Sequence, residues 1–484
     1  MTSGLAWTDT TVRQALGIPA GVPEPGGSEA DLRFARICTD TREVGEGDLF
    51  VALQGERYDG HDFVTEAAAK GARAAVVSRT VEVDNVMPLY LVPDTLDGLA
   101  GLACSRRRAL AGQVIGITGS SGKTTVKELI AAALRGTFVV HQTTGNRNNR
   151  VGLSLSILDA PINAEFLVLE MGTSEPGEMA TLTGIAEPDH VVLTTVGEAH
   201  LTGLGSLEGV LSEKIDLLRG SSPSGEAVIG DEPPLLAFAA REVRADAHIS
   251  GFSERADPDC RGAELTQESC GRYRFRIWDR EVKAGLPGVH GAQNLLMALA
   301  CARYLGADQS SAIEGASAVT PGPLRGEAKT IGSLTIVLDC YNANPQSVLA
   351  ALELLSRLPG DGPRVAVLGS MLELGSHSRE LHRSTLERAL ALSLDLVVAT
   401  GDFASSGRPA AGPDQPELIV APTIDEGYSA LRSRLIGSET VLLKASRAVA
   451  METLVDRFEA DFGSSTGGIL DPGVSPTGVR QGNA

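Results

Sequence analysis

The sequence predicts an α/β protein in three parts: a small N-terminal α/β domain, a central doubly wound sheet built around a glycine-rich P-loop, and a C-terminal Rossmann-like domain. Three observations predict it. From Val114 onward apolar strand-like runs alternate with helical patterns, which indicates mostly parallel sheets covered by helices. A second series of the same kind begins at Thr335. The length of 484 residues suits about three domains, each able to bury a core of its own.

The first part, residues 1–110, mixes short strand-like runs with one amphipathic helix over 62–70, and its turn-rich stretch 20–28 reads as a surface loop. In the second part, 111–321, the strand-like runs are 114–118, 138–141, 166–170, 191–196 and 227–230. In the third, 322–463, they are 335–338, 365–368, 396–399, 418–420 and 441–443. The tail 464–484 is rich in Gly, Ser, Thr and Pro and reads as disordered.

A formal net charge of −19 argues against nonspecific binding to nucleic acid or an anionic membrane surface, so an anionic substrate has to be held by local cations. No run of about 18 apolar residues occurs and the start lacks a basic-then-apolar leader, so the expectation is a cytoplasmic chain without membrane insertion. The six cysteines form no C-x-x-C pair, which favours reduced structural thiols; Cys340 alone neighbours a candidate site.

The central part opens on the most informative stretch. Ile115-Gly116-Ile117-Thr118 ends an apolar run, and Gly119-Ser120-Ser121-Gly122-Lys123-Thr124-Thr125 turns it into a helix whose apolar positions Val126, Leu129, Ile130, Ala133 and Leu134 recur at helical spacing. Glycines let backbone N–H groups converge on phosphate oxygens, and the helix N-terminus adds partial positive charge. Lys123 offers a mobile cation and a threonine hydroxyl suits Mg²⁺. The common Walker pattern has glycine five residues before Gly122; Ile117 stands there, so this is a shortened variant of a nucleoside triphosphate site.

Such a site needs an acidic metal partner at the end of a neighbouring strand, where open α/β sheets place their ligand crevices. Glu170 closes the run 166–170 and is the first candidate; a carboxylate that merely caps a strand end is the alternative. The run 191–196 leads to His200, which is either a second metal ligand or a hydrogen-bonded structural histidine. Beyond it Ser206 can cap a helix whose apolar stripe, including Val210, Ile215, Leu217 and Leu218, takes in Lys214. A lysine there must snorkel outward, lose its proton, find a carboxylate or change chemically, because an unpaired buried ammonium is too costly. Residues 288–293 precede a helix over 295–305 and would present Asn294 to an adenine edge. Asn342 and Asn344 follow the strand 335–338 and serve as turn formers as easily as ligand contacts.

Together these motifs resemble the Mur ligase family, ATP-dependent enzymes that join an amino acid or peptide to a growing cell-wall precursor. The resemblance runs through all three parts. It rests on Gly47-Asp48-Leu49-Phe50-Val51-Ala52-Leu53, Asp59-Gly60-His61-Asp62-Phe63, Gly145-Asn146-Arg147-Asn148-Asn149, Met371-Leu372-Glu373-Leu374-Gly375 and Lys444-Ala445-Ser446-Arg447. Within the family the set looks most like the branch that adds D-alanyl-D-alanine to UDP-N-acetylmuramoyl-tripeptide. A sibling that adds a diamino acid, a folylpolyglutamate-type ligase and a nucleotide switch or ATPase are the alternatives.

The resemblance implies that Gly119, Ser120, Ser121, Gly122, Lys123, Thr124 and Thr125 hold ATP phosphates, with Lys123 at the β/γ end and Thr124 with Glu170 on one Mg²⁺. It implies a second Mg²⁺ on His200 and a Lys214 carbamylated by CO₂ that bridges to this metal, so that Lys123, Glu170, His200 and Lys214 form the catalytic set. Asn294 and Arg325 are implied as ATP contacts across the domain junction, with Asn342 and Asn344 on the nucleotide side of the third domain. Asp40, Thr41 and Arg42 would sit by the UDP moiety, which makes 1–110 the UDP-substrate domain. Asn146 and its neighbours would lie where the peptide carboxylate meets the γ-phosphate, and the third domain would bring the dipeptide. The implied chemistry is an acyl phosphate attacked by the dipeptide amine, with the third domain closing over the second to exclude water. A monomer is the default. Gly291, Ser370 and Ala445 depart from the family pattern, and none removes an implied metal ligand.

Overall fold

The computed structural model describes residues 7–19, 32–82, 87–268, 271–358, 360, 362–407 and 415–463. The expected loop over 20–28 and the expected tail over 464–484 lie outside the described residues.

In the first region the strands Ile37–Cys38, Leu49–Val51, Ala74–Val77 and Leu89–Leu91 form a parallel sheet in chain order, beside a separate antiparallel pair, Trp7–Thr8 with Arg33–Phe34. The helix expected over 62–70 begins as a 3₁₀ turn, Gly60–Phe63, and continues as Val64–Ala69. Asp59 shapes that entry, because its carboxylate accepts the His61 N–H at 3.0 Å and faces His61 Nδ1 at 2.6 Å. Two helices add to the one expected, Asp9–Leu16 and Thr95–Ala109, and their apolar faces share a core with the sheet. The second also turns Arg106 and Arg107 toward the central region, where they donate to the carbonyls of Ala160 at 2.6 Å and Ala186 at 2.9 Å.

The central sheet has six parallel strands in the order His248–Ser250, Ala227–Gly230, His190–Leu193, Gln113–Thr118, Phe166–Glu170, Val140–Gln142. All five expected runs are strands here, 166–170 and 227–230 with the expected ends and the other three with shifted ones. The run 191–196 stops at Leu193 because the chain turns to the glycine-rich loop, Thr194 N–H donating to Thr118 at 2.9 Å and Gly197 N–H to Ser120 Oγ at 3.0 Å. Helices Lys123–Arg135 and Gly288–Tyr304 bury one face of the sheet; Arg150–Leu158, Glu178–Ala186 and Leu207–Gly220 bury the other. An antiparallel insert, Ala263–Gln267, Arg272–Ile277 and Arg280–Pro287, adds three strands to those expected. Its middle strand alternates arginine with Tyr273, Phe275 and Ile277, which buries only the second set.

Gly288–Tyr304 corrects one expectation: residues 288–293 are helical, so Asn294 stands in the second turn of a helix and not in a loop before one. The third sheet runs Glu327–Ile331, Leu334–Asp339, Thr440–Lys444, Arg364–Leu368, Leu396–Thr400, Glu417–Ala421. Its five expected strands are parallel, and Glu327–Ile331 adds an antiparallel edge. No helix among the described residues is long and apolar enough to cross a membrane.

Candidate active site

A cavity of about 1460 Å³ opens where the C-terminal ends of the central strands face the third region. The glycine-rich loop over 120–125 lines it, as do Asn146, Glu170, His200, Asn294, Arg325, Asn342 and Asn344. Gly119 and Lys214 lie off its wall. So do Asp40, Thr41 and Arg42, which the structure does not bring to this cavity: Arg42 pairs with Asp40, and the Thr41 carbonyl accepts Lys70 Nζ at 2.9 Å.

The loop's shape follows from two glycines with positive φ, Gly119 at 153° and Gly122 at 81°. A Cβ on Gly119 would meet Thr194 Oγ1 at 1.9 Å, and one on Gly122 would meet Asn294 Oδ1 at 3.0 Å. The close approach to Gly122 is what puts Asn294 beside the loop. Lys123 Nζ donates to the Gly119 carbonyl at 2.7 Å; desolvation lowers its pKa, against the opposing pull of Glu170.

Glu170 is buried and doubly bonded. Its Oε2 accepts the Thr124 hydroxyl at 2.8 Å, and its Oε1 accepts Asn148 Nδ2 at 2.9 Å. One carboxylate thus ties the glycine-rich loop to the loop that contains Asn146. His200 adopts a left-handed conformation, φ 56°, and its Nδ1 pairs with the Glu373 carboxylate from the third region. That bond is the main reason the Glu373 pKa falls below the ordinary range. The Thr202 N–H donates to the Glu373 carbonyl at 3.0 Å, so the Met371–Gly375 motif docks on this corner.

Ser206 caps Leu207–Gly220 through the Gly209 N–H, as expected, and Lys214 falls on the buried face. Its exposure is 0 %, which rules out snorkelling, and its Nζ has no hydrogen-bond partner, which rules out a bound carboxylate. The neighbouring Glu213 carboxylate is taken by the N–H groups of Gly177 at 2.8 Å and Met179 at 2.6 Å. Desolvation, aided by the charge of Lys123 and opposed by Glu213, pushes the Lys214 pKa down to about 7. Two of its four expected fates remain: a neutral amine or a chemically changed one.

On the third region's side, the Arg325 guanidinium lies 3.8 Å from the Tyr341 ring centroid, a stacked cation on the cavity wall. Asn344 caps the helix Pro345–Arg357, accepting the Ser347 N–H at 2.8 Å, and also reaches the Ser120 carbonyl at 3.4 Å. Asn342 keeps its side chain on its neighbour's N–H, while its carbonyl accepts Lys444 Nζ at 2.7 Å. Both residues therefore shape the turn and face the cavity. Cys340 does not: it is buried off the wall beside Glu452, and burial pushes its thiol pKa up to about 12.

Asn148 lines this cavity and Glu373 holds its His200, while Tyr341 and Gln346 line the third region's side; the sequence assigns none of the four a role by name. The first two lie within the Gly145–Asn149 and Met371–Gly375 motifs, so the signal was present at the motif level and lacked only the partner.

A glycine-rich loop at the crevice of a doubly wound sheet, joined through its threonine to a buried carboxylate on the next strand, defines a P-loop enzyme that uses a nucleoside triphosphate. Residues 33–135 match the Mur ligase family catalytic domain, 117–302 the Mur ligase middle domain, and 325–447 the Mur ligase glutamate ligase domain. The UDP-N-acetylmuramoyl-tripeptide–D-alanyl-D-alanine ligase of Bacillus subtilis is 34% identical over 426 residues, 87% of this chain and 92% of that protein. MurF from Acinetobacter baumannii superposes with a TM-score of 0.82 at 29% identity, covering 94% of this chain and 99% of that one. MurF from Thermotoga maritima, solved in complex with ADP, gives 0.77 at 33% identity, covering 88% and 97%. The chain belongs to the Mur ligase family.

Proposed function

We propose that this chain is the ATP-dependent ligase that joins D-alanyl-D-alanine to UDP-N-acetylmuramoyl-tripeptide in peptidoglycan precursor synthesis. The observation that carries the reaction class is the single carboxylate of Glu170, bonded at once to Thr124 of the glycine-rich loop and to Asn148 of the loop 144–149. It sets the nucleotide phosphates and an acceptor carboxylate around one point. The choice of substrates rests on the relatives named above and on the motifs shared along the whole chain.

In this reading the chain divides at 110/111 and 321/322 into UDP-substrate, ATP-binding and dipeptide-bringing domains, and it works as a cytoplasmic monomer. Lys123 meets the β- and γ-phosphates, with the backbone of 119–125 around them and Asn294, Arg325, Asn342 and Asn344 on the nucleotide. Asp40, Thr41 and Arg42 hold the UDP moiety in the first domain, away from the cavity where the chemistry occurs.

The donor set suits Mg²⁺, which takes one or two carboxylates and leaves its other positions to phosphate and water. Among the described residues no cluster of three His, Cys, Asp or Glu side chains stands ready for a metal. Thr124 with Glu170 would hold one ion. His200 and a carbamylated Lys214 would hold a second. The unpartnered, fully buried Lys214 Nζ supports this, because only a neutral amine takes up CO₂ and the product is an anion. Bound Mg²⁺ would spread the negative charge that develops on the transferred phosphoryl group.

The remaining steps belong to the chain and its substrates. Asn146 and Asn148 orient the tripeptide carboxylate, whose oxygen attacks the γ-phosphorus and expels ADP. The acyl phosphate that forms is open to water, and the contacts of Asn344 with Ser120 and of Gln346 with Thr195 at 3.1 Å support a closure of the third region over this side of the site. The dipeptide amine then attacks the acyl carbon, phosphate leaves with the carboxylate oxygen, and an amide remains.

The test is ATP-dependent phosphate release with UDP-N-acetylmuramoyl-tripeptide and either D-alanyl-D-alanine or single amino acids, with products weighed by mass spectrometry. Release that requires the dipeptide and yields the pentapeptide supports the reading. Release with a diamino acid or glutamate assigns a sibling ligase, and release without ligated product assigns an ATPase.

A further inference from the structure

Lys127 lies one helical turn beyond Lys123 on Lys123–Arg135, is fully buried, and borders the cavity, yet none of the roles above uses it. A buried ammonium persists only with partners. This one has two: Nζ donates to the Thr143 carbonyl at 2.8 Å and lies 3.0 Å from Glu128 Oε1. Glu128 in turn accepts Gln142 Nε2 at 2.8 Å. These contacts clamp the end of Val140–Gln142 to the helix that begins at the glycine-rich loop. The clamp matters because Val140–Gln142 is the outermost strand of the central sheet, paired on one side only.

Thr143 passes the constraint onward. Its Oγ1 accepts the Glu170 N–H at 3.1 Å and its own N–H donates to Val168 at 3.0 Å. The chain then enters the loop 144–149, where Gly145 is left-handed at φ 61° and Asn148 is held twice, by Glu170 through its side chain and by the Gly172 N–H on its carbonyl at 2.9 Å. We infer that Lys127 is a positioning residue for this loop. By holding Thr143 it fixes where Asn146 and Asn148 stand relative to the glycine-rich loop and Glu170, and so couples the acceptor half of the site to the nucleotide half. The kinetic side of the inference rests on the functional reading above; the structural side does not.

The test uses the full chain as wild type, Lys127→Met, Lys127→Arg and Thr143→Val, followed by amide hydrogen–deuterium exchange and steady-state kinetics. Lys127→Met keeps the apolar stem and removes the donor. Exchange over 143–149 and at Gly172 should speed by about tenfold or more, while amides over 126–135 change by less than about twofold. The KM for the UDP-linked acceptor should rise about tenfold with the KM for ATP within about twofold of wild type. Lys127→Arg, which still donates, should recover part of the protection. Thr143→Val keeps the carbonyl that Lys127 uses but loses the bond to the Glu170 N–H, and should give the same kinetic split; it carries the test if Lys127→Met fails to fold. Unchanged exchange over 143–149 in a folded Lys127→Met protein overturns the inference, as does a rise in KM for ATP equal to that for the acceptor. A wild type without acceptor-dependent turnover sinks the functional reading instead, and the exchange data still decide the positioning role.

Discussion

The helices Lys123–Arg135 and Leu207–Gly220 cover opposite faces of the central sheet, and each buries a lysine completely. Lys127 is bonded to a carbonyl and a carboxylate; Lys214 has no partner, because the Glu213 beside it is committed to two backbone N–H groups. The difference teaches that burial alone does not fix what a lysine does. Where neighbours complete its bonds the ammonium is a strut. Where they do not, burial favours the neutral amine.

The largest effect expected from this contrast is on activity. Lys214→Ala should lower the ligation rate by about 10²–10³-fold, in the range of losing one group that stabilises transition-state charge. Short carboxylic acids should restore part of it by standing in for the carbamate. Full activity in Lys214→Ala without any added acid would remove Lys214 from the site.

Stability should separate the two lysines by sign. In CO₂-free buffer lacking Mg²⁺, denaturant unfolding of Lys214→Met should show a gain of about 1–4 kcal/mol, since an amine that must give up its proton to be buried without a partner is replaced by an apolar side chain. Lys127→Met should lose about 1–3 kcal/mol, because the Thr143 carbonyl and Glu128 are left without their donor. Two changes of the same sign would break the comparison.

The same contrast predicts a pH dependence. Lys214 titrates at about 7 in the folded chain against an ordinary value of 10.5, so between these pH values the unfolded chain binds a proton the folded one lacks. Wild-type stability therefore rises with pH across that window, by up to about 1.4 kcal/mol per pH unit from this group, and Lys214→Met lacks that contribution. Unfolding curves at pH 7 and 9 in CO₂-free buffer measure it. An identical pH slope in both proteins would mean that Lys214 is not the titrating group.

The sequence makes the two large sheets readable because buried parallel strands appear as continuous apolar runs, as in Phe166–Glu170, and because Gly-Lys-Thr after such a run has few structural meanings. The antiparallel elements are harder. Glu327–Ile331 and Arg272–Ile277 mix charged residues with apolar ones on half-exposed strands, so neither forms an apolar run. Gly288 and Gly291 look like turn residues, so the sequence places Asn294 ahead of the helix; in the structure Gly291 is helical, and a Cβ there would meet the Leu286 carbonyl at 2.7 Å. Contacts between regions leave no local trace at all. His200 with Glu373, and Asn344 with Ser120, depend on how the third region docks, while Glu170 is legible from its strand end alone. The apolar stripe marks Lys214 as buried, but only the packed structure eliminates snorkelling and pairing.

The central claim is that the acceptor carboxylate itself is phosphorylated at the Glu170 corner. It is tested most directly with UDP-N-acetylmuramoyl-tripeptide carrying ¹⁸O in its terminal carboxylate, by mass spectrometry of the phosphate released during turnover with ATP and D-alanyl-D-alanine. One labelled oxygen is expected in each phosphate released. Unlabelled phosphate would show that water, not the carboxylate, takes the γ-phosphoryl group, and would contradict it.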